Sequence, residues 1–408
     1  MRISTAQFYN QSVQTMDNHQ SQLNQQYQQI SSGQGLQTPA DNPLGAAHAV
    51  QLTSTSAALA QYSTNQTAAL SSLQLEDKTL SSVTGVMQSV SSLIVRAGDG
   101  TLEDTDRAAI AKTMQGYRDQ LLTLANTSDT TGHYVFSGFQ SSTAPFTNNP
   151  AGGVHYLGDN GVRTIQVADT RQIATNDSGA SVFLSVPAVG TSSVAAGSWR
   201  NSGTGAIAQP AIRDPAAKTN SDRYTITIGG TASAPTYSIT DETTGDTTPA
   251  AAFSAASPIK LGSGMAVTLS GKPNPGDTFS VTPSTTPTNS SLFQTIDSII
   301  AALQSPVQNN TAAQASLSNE LAAGLTRFHN SLTAITVVQA SVGGREQELQ
   351  ALQSTTQNNS LQTQSDLSSV TGLDMVSAIS NFELTQNTLQ AAQQSFARIE
   401  GMSLFKYL

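Results

Sequence analysis

Few side chains in this 408-residue chain could do covalent chemistry, and none is arranged for it. The five histidines (His19, His48, His133, His155, His329) are scattered, and none stands in the His-Glu-x-x-His spacing that sets two zinc ligands on one helix face. Gly262-Ser263-Gly264 lacks the outer spacing of a nucleophile elbow. Gly33-Gln34-Gly35 and Gly203-Thr204-Gly205 lack the third glycine and flanking strand of a dinucleotide loop. With no cysteine there is no disulfide and no thiolate metal site. Neither catalysis nor a cofactor nor a metal is expected. What remains is association chemistry, and it sits at the two ends. Tyr9, Met16, Leu23 and Ile30 recur every seventh residue, with Val13 and Tyr27 interleaved. Met375, Phe382, Leu389 and Phe396 do the same, with Ala378, Ala392 and Ile399 between them. A seven-residue apolar repeat marks a helix that packs along a neighbour.

Neither seam has a local partner, so the simplest closure brings the two ends together as a hairpin of helices with the middle looped out. Burying a large apolar side chain contributes about 1.5–3 kcal/mol. Ordering each backbone residue costs about 1 kcal/mol or more. The rest of each end is mostly Gln, Ser, Asn and Thr, so a single terminal pair is marginal. The ends are therefore expected to order on assembly beside further copies, with an ordinary intramolecular coiled coil as the alternative. Gln20 and Thr385 are polar where a stable dimer places Leu. They either fix the register or simply weaken the seam.

Composition supports an assembling surface. Charged residues are 11%, well under the roughly 25% usual in soluble proteins, and aromatics only 5%. Short polar side chains take their place and can pack against identical surfaces without like-charge repulsion. The net charge is −9 with no basic cluster, which argues against nucleic acid. No apolar run approaches the roughly 18–20 residues of a membrane span. Met1-Arg2-Ile3-Ser4 lacks the apolar core of a cleaved signal, so any export is expected to leave the N-terminus in place.

The elements that must position these seams follow in order. Ser4-Thr5-Ala6-Gln7 reads as a capping box, and Gly33 and Gly35 close the first helix. Asn42 then Pro43 begin a second, as N-cap and first helical residue. Its seam runs Leu59, Tyr62, Gln66, Ala69, Leu73, Glu76, Leu80, Val83, Met87, Val90, Ile94 and Ala97. A third helix carries Ile110, Met114, Tyr117, Leu121 and Leu124. From about residue 141 the pattern changes, and twelve of the fifteen prolines lie between Pro145 and Pro287. Alternation at Tyr224, Ile226 and Ile228, Tyr237 and Ile239, Met265, Val267 and Leu269, and Phe279 with Val281 predicts antiparallel strands. Helical spacing returns from Phe293 and continues through Leu317 to Val342. The reading is an α+β multidomain chain in three parts. Residues 1–40 with 371–408 form terminal coiled-coil helices, 41–140 with 288–370 a helical rod, and 141–287 an antiparallel β insertion.

Ile30-Ser31-Ser32-Gly33 followed by Thr38-Pro39-Ala40-Asp41-Asn42-Pro43-Leu44-Gly45-Ala46-Ala47 resembles the signature of the bacterial flagellin family. Most members carry Asp where Asn42 stands, and both residues cap a helix. Val342-Gly343-Gly344-Arg345 with Glu348-Leu349 resembles the matching C-terminal segment. Three further features resemble the family's hook–filament junction subgroup rather than filament flagellin. They are Gly132-His133-Tyr134-Val135-Phe136-Ser137-Gly138 with Pro145-Phe146 shortly after, Val154-His155-Tyr156-Leu157-Gly158-Asp159, and the ending Ser403-Leu404-Phe405-Lys406-Tyr407-Leu408. The resemblance implies a flagellin-like fold and secretion through the flagellar type III apparatus. It implies a homo-oligomeric ring at the distal end of the hook, seated on hook-associated protein 1, with flagellin adding on its outer side. A cytoplasmic export chaperone would hold the C-terminal helix beforehand.

Single residues carry further expectations. Gln66 and Glu76 are expected on a half-exposed edge, Tyr134 and Phe136 in a core, and Trp199 as a buried anchor of the β insertion. Two rival functions remain open on sequence alone: a flagellin filament subunit, and an adhesin that uses residues 141–287.

Overall fold

The computed structural model describes residues 5–150, 152–185, 192–283 and 291–401. The chain divides into two compact units, Met1–Asn65 with Ala351–Leu408, and Gln66–Gln350.

In the first unit, α1 (Thr5–Ser32) ends where Gly33 takes φ +70°, the left-handed conformation that suits a residue without a Cβ. The proposed cap at Ser4 and the ending 403–408 lie outside the described residues. α2 (Pro43–Ala97) starts as its sequence predicts, since the Gly45 amide donates to Asn42 Oδ1 at 2.9 Å. α5 (Thr311–Thr371) and α6 (Met375–Gly401) complete the helices that enter this unit. α1 and α6 pack antiparallel within one chain: the Tyr9 and Phe396 rings stand 5.1 Å apart near one end. Near the other, Gly35 N donates to Thr371 O and Leu373 N to Gly33 O.

The second unit holds the apolar core. On α2, Ala69, Leu73, Glu76, Leu80, Val83, Met87, Val90, Ile94 and Ala97 are buried, steps of three and four as the helical period dictates. α3 (Asp104–Ala125) and α4 (Leu292–Gln304) pack on each other through Ile110, Met114, Leu121, Phe293, Ile296 and Ile300. On α5, Leu321, Phe328, Ile335, Val342 and Leu349 are buried at every seventh residue, and the helix passes through Gly343-Gly344 unbroken.

Between α3 and α4 lies the β region. β1 (Phe146–Asn148) and β2 (Val154–Tyr156) pair, as do β3 (Thr164–Ala168) and β4 (Arg171–Ala174). The remaining strands are β5 (Val194–Gly197), β6 (Ala206–Ile207), β7 (Ala211–Ile212), β8 (Tyr224–Thr231), β9 (Ala234–Asp241), β10 (Ala251–Ala252), β11 (Pro258–Leu261), β12 (Met265–Ser270) and β13 (Thr278–Thr282). They form an antiparallel five-stranded sheet in the order β10-β9-β8-β13-β5 and a second sheet β11-β12-β6, with β7 also on β12. The alternation reads through: Tyr224, Ile226, Ile228, Val267, Leu269, Phe279 and Val281 share one apolar cluster.

Trp199 departs from its expected place. It follows β5 in a turn and is 81% exposed. The cluster beneath is already filled by aliphatic residues and Phe279, and the guanidinium of Arg200 lies 4.9 Å from the Trp199 ring centroid.

Candidate assembly interface

The first unit has almost no core of its own. Among the described residues, Leu389, at 8% exposure, is the one large apolar side chain buried there. On α6 the inward series is Ala378, Phe382, Thr385, Leu389, Ala392 and Phe396, in alternating steps of four and three. On α1 Met16, Leu23 and Ile30 are half-buried, and His19 and Gln26 occupy the positions between them. Val13 is also half-buried, whereas Tyr9 and Tyr27 are exposed. Met375 is exposed at the start of α6, and the side chain of Ile399 lies outside the described residues. His19 Nδ1 and Gln26 Oε1 are buried atoms with no hydrogen-bond partner among the described residues. The seam is thus partly polar as well as thin.

Apolar groups that a core would take up stand outside instead: Leu44, Val50, Leu361, Val376, Ile379 and Leu384, with Val376 81% exposed. The heptad of α5 shows the same change, for after Leu349 the next two positions are Thr356 and Thr363. These helices present apolar surface and short polar side chains together.

The turn from α1 into α2 is rigid by contrast. Asp41 accepts from Thr38 N at 2.8 Å and from Thr38 Oγ1 at 3.0 Å, and its other oxygen accepts from Gln25 Nε2 on α1 at 3.1 Å. The Thr38 hydrogen bonds hold the Asp41 carboxyl below its ordinary pKa. Ser32 Oγ accepts from Gln37 Nε2, so the Ser32-Gly33 and Pro39-Asp41-Asn42-Pro43 residues form one closed corner.

In the second unit the two sequence motifs that end at Gly138 and Asp159 meet. Tyr156 Oη donates toward Phe136 O at 2.9 Å and Asp159 O at 2.8 Å. Asp159 Oδ1 accepts from Phe139 N at 2.9 Å and Gly161 N at 2.7 Å. Gly138 has φ +71°, and any Cβ there would run into Asp159. Phe136 is fully buried against Phe183 as expected, whereas Tyr134 is half-buried.

Gln66 and Glu76 are not on an exposed edge: both are 0% exposed. The segment 164–177 covers them, which nothing near them in sequence announces. Gln66 Nε2 donates to Val167 O at 2.7 Å, and Glu76 Oε1 accepts from Asp177 N at 3.1 Å. Arg345 closes the clasp, donating to Asp177 Oδ2 and, at 3.2 Å, to Ala174 O. Arg171 lies bidentate on Glu348 at 2.6 and 2.7 Å. Burial, then the Asp177 charge, pushes the Glu76 carboxyl well above its ordinary range, against the pull of Arg345. The family-like residues Arg345 and Glu348 therefore hold a β-hairpin on a helix surface, while Gly344 beside them faces open space.

A second clamp has no precursor in the motif reading. Arg118, buried on α3, meets Asp297 on α4 at 3.0 Å and Gly153 O at 2.9 Å, and also donates to Asn148. Gly153 N donates to Asp297 Oδ2 at 2.6 Å. The available signal is an arginine four residues after Met114 on the buried stripe of α3.

Among the described residues no group of histidines and carboxylates is placed to hold a metal ion, and no helix is long and apolar enough to cross a membrane. The ion pairs and hydrogen bonds described here clamp distant segments onto the helices.

Residues 3–141 match the family model for the bacterial flagellin N-terminal helical region. The chain is 28% identical over 406 residues to flagellar hook-associated protein 3 of Salmonella typhimurium, covering 100% of this chain and 99% of that one. Among solved structures it is similar to flagellar hook associated protein-3 from Legionella pneumophila, with 25% identity, TM-score 0.69, and 78% and 98% of the two chains covered. The flagellar junction protein FlgL from the same organism matches with 28% identity and TM-score 0.62, covering 71% of this chain and 95% of that one.

Proposed function

We propose that this chain is a member of the bacterial flagellin family and a non-catalytic structural part of the flagellum that joins hook to filament. Its place is outside the cell, at the hook–filament junction. The observation that carries the mechanism is the first unit: among the described residues α1 and α6 pair around little more than Leu389, while Leu44 and Val50 on α2 and Val376 and Leu384 on α6 stay in solvent. Exposed side chains of that size gain about 1.5–3 kcal/mol each when a neighbour covers them. Repeated around a ring of identical copies, that gain supplies the rigidity that one thin pair lacks.

On this reading the seam residues Tyr9, Val13, Met16, Leu23, Tyr27, Ile30, Met375, Phe382, Leu389, Phe396 and Ile399 form the homo-oligomeric contact of an inner tube. Residues 41–140 with 288–370 form its wall, and 141–287 face outward. Hook-associated protein 1 is the partner on the hook side and flagellin on the filament side. An export chaperone covers α6 before secretion. Shape rather than charge sets the fit, because so few charges are available.

A strain lacking this chain tests the role. Hooks without filaments, with flagellin released to the medium, support a junction. Filaments of normal length would overturn it. Purified chain that polymerises alone into long filaments would assign it to filament flagellin instead.

A further inference from the structure

We propose that the groove beside Trp199 binds a neutral, hydroxyl-rich ligand of the oligosaccharide class. The groove, of about 820 Å³, is bounded by the turn after β5 and by α4 and α5. Its one aromatic wall is Trp199, the only tryptophan of the chain. That ring is exposed on a braced turn, not on a loose one. Ser198 N donates to Thr278 O at 3.0 Å, and Asn201 exchanges two hydrogen bonds with Thr278, at 2.9 and 2.8 Å. The buried carboxylate of Asp277 accepts from Ser202 N and Gly203 N at 2.7 and 3.1 Å. A turn fixed by this many bonds holds its indole in solvent by construction.

The rest of the lining fits the same ligand. Ala301, Ala302, Ala312 and Ala313 line it with small side chains, together with Val307 and Leu317. Glu320 and Asn310 stand on the wall. Both contacts of Glu320, from Ser298 Oγ at 2.9 Å and Arg327 at 3.6 Å, fall on Oε1, which leaves Oε2 as an acceptor. Asn310 Oδ1 caps α5 through Ala313 N at 3.0 Å, which leaves its amide nitrogen as a donor. Trp199, Glu320 and Asn310 line one groove, and an oligosaccharide spans such a lining: a pyranose offers a C–H face to the indole, and hydroxyls along the chain meet the carboxylate and the amide. Arg200 at 4.9 Å lies over the ring and directs such a ligand to the face it does not cover. Both signs of charge are present, Arg200 at the ring and Glu320 with Arg327 beside it, so neither sign dominates the groove.

The single tryptophan makes the test direct, because emission of the full-length chain reports on this groove alone. The probes are cellotetraose, maltotetraose and the tetramer of N-acetylglucosamine. At least one is expected to shift Trp199 emission saturably at about millimolar concentration. Its saturation-transfer signal should vanish in Trp199→Ala and weaken about tenfold in Glu320→Gln, the loss of one hydrogen bond to a charged group. Unchanged circular dichroism of both variants keeps a folding defect apart. Silence with all three sugars, or binding that persists in both variants, overturns the proposal. Emission that moves only with protein concentration also overturns it, and assigns Trp199 to a second copy. None of these results bears on the junction role, which the deletion strain tests separately.

Discussion

Glu76 shows how a single residue ties a distant segment to a helix. One oxygen accepts from Asp177 N, and the other is buried with no partner among the described residues. Burial raises its pKa, so the stability it contributes is fully present below the ordinary glutamate pKa. That contribution is lost as pH rises through the raised folded value. Asp177 and Arg345 are the charges that face it. Thermal unfolding of the wild type should therefore weaken from acid toward neutral pH more than that of Glu76→Gln, which keeps the shape without the charge. Parallel pH slopes for the two would contradict this. Removing Arg345 leaves Asp177 and Glu76 without their cation, and Arg345→Ala should cost about 1.5–3 kcal/mol in denaturant unfolding. Gly138→Ala should cost at least about 1–3 kcal/mol, because it combines a left-handed backbone with a clash at Asp159. A melting point unchanged by that substitution would contradict the motif geometry.

At the scale of elements, α6 is the most exposed commitment. Leu389→Asp places a charge at the one apolar position buried in the α1–α6 pair among the described residues. It should abolish assembly while leaving the melting of the second unit within about 0.5 kcal/mol of wild type. Recovery of assembly at high ionic strength would contradict a seam held by shape and apolar contact. How far the elements could be read from sequence depended on how local their causes were. The α2 start at Asn42-Pro43, the α6 heptad and the alternation of Tyr224, Ile226 and Ile228 rest on neighbours within a few residues, and all were legible. The β3–β4 hairpin and the burial of Gln66 and Glu76 rest on partners about a hundred residues away, which no local period encodes. On α1 the seven-residue repeat was legible. The polar residues between its members were not, because His19 and Gln26 look like solvent residues until α6 is set beside them. Trp199 failed for a related reason: a large aromatic in a β region is expected inside, and only the filled cluster shows that it is outside.

For the whole molecule, stability is unevenly distributed. Among the described residues the second unit carries nearly all of the buried apolar groups, and those of the first are mostly half-buried or exposed. Segments with few buried apolar contacts open locally at low free energy, and densely packed ones open only with the fold. On the proposed function, a chain that is exported and then locked beside further copies needs that contrast. Amide hydrogen exchange on the dilute, full-length monomer measures it residue by residue. Fast exchange through residues 5–32 and 375–401, with slow exchange through 66–97, is the predicted result. Protection of both terminal helices equal to that of 66–97 in an isolated molecule would contradict the account.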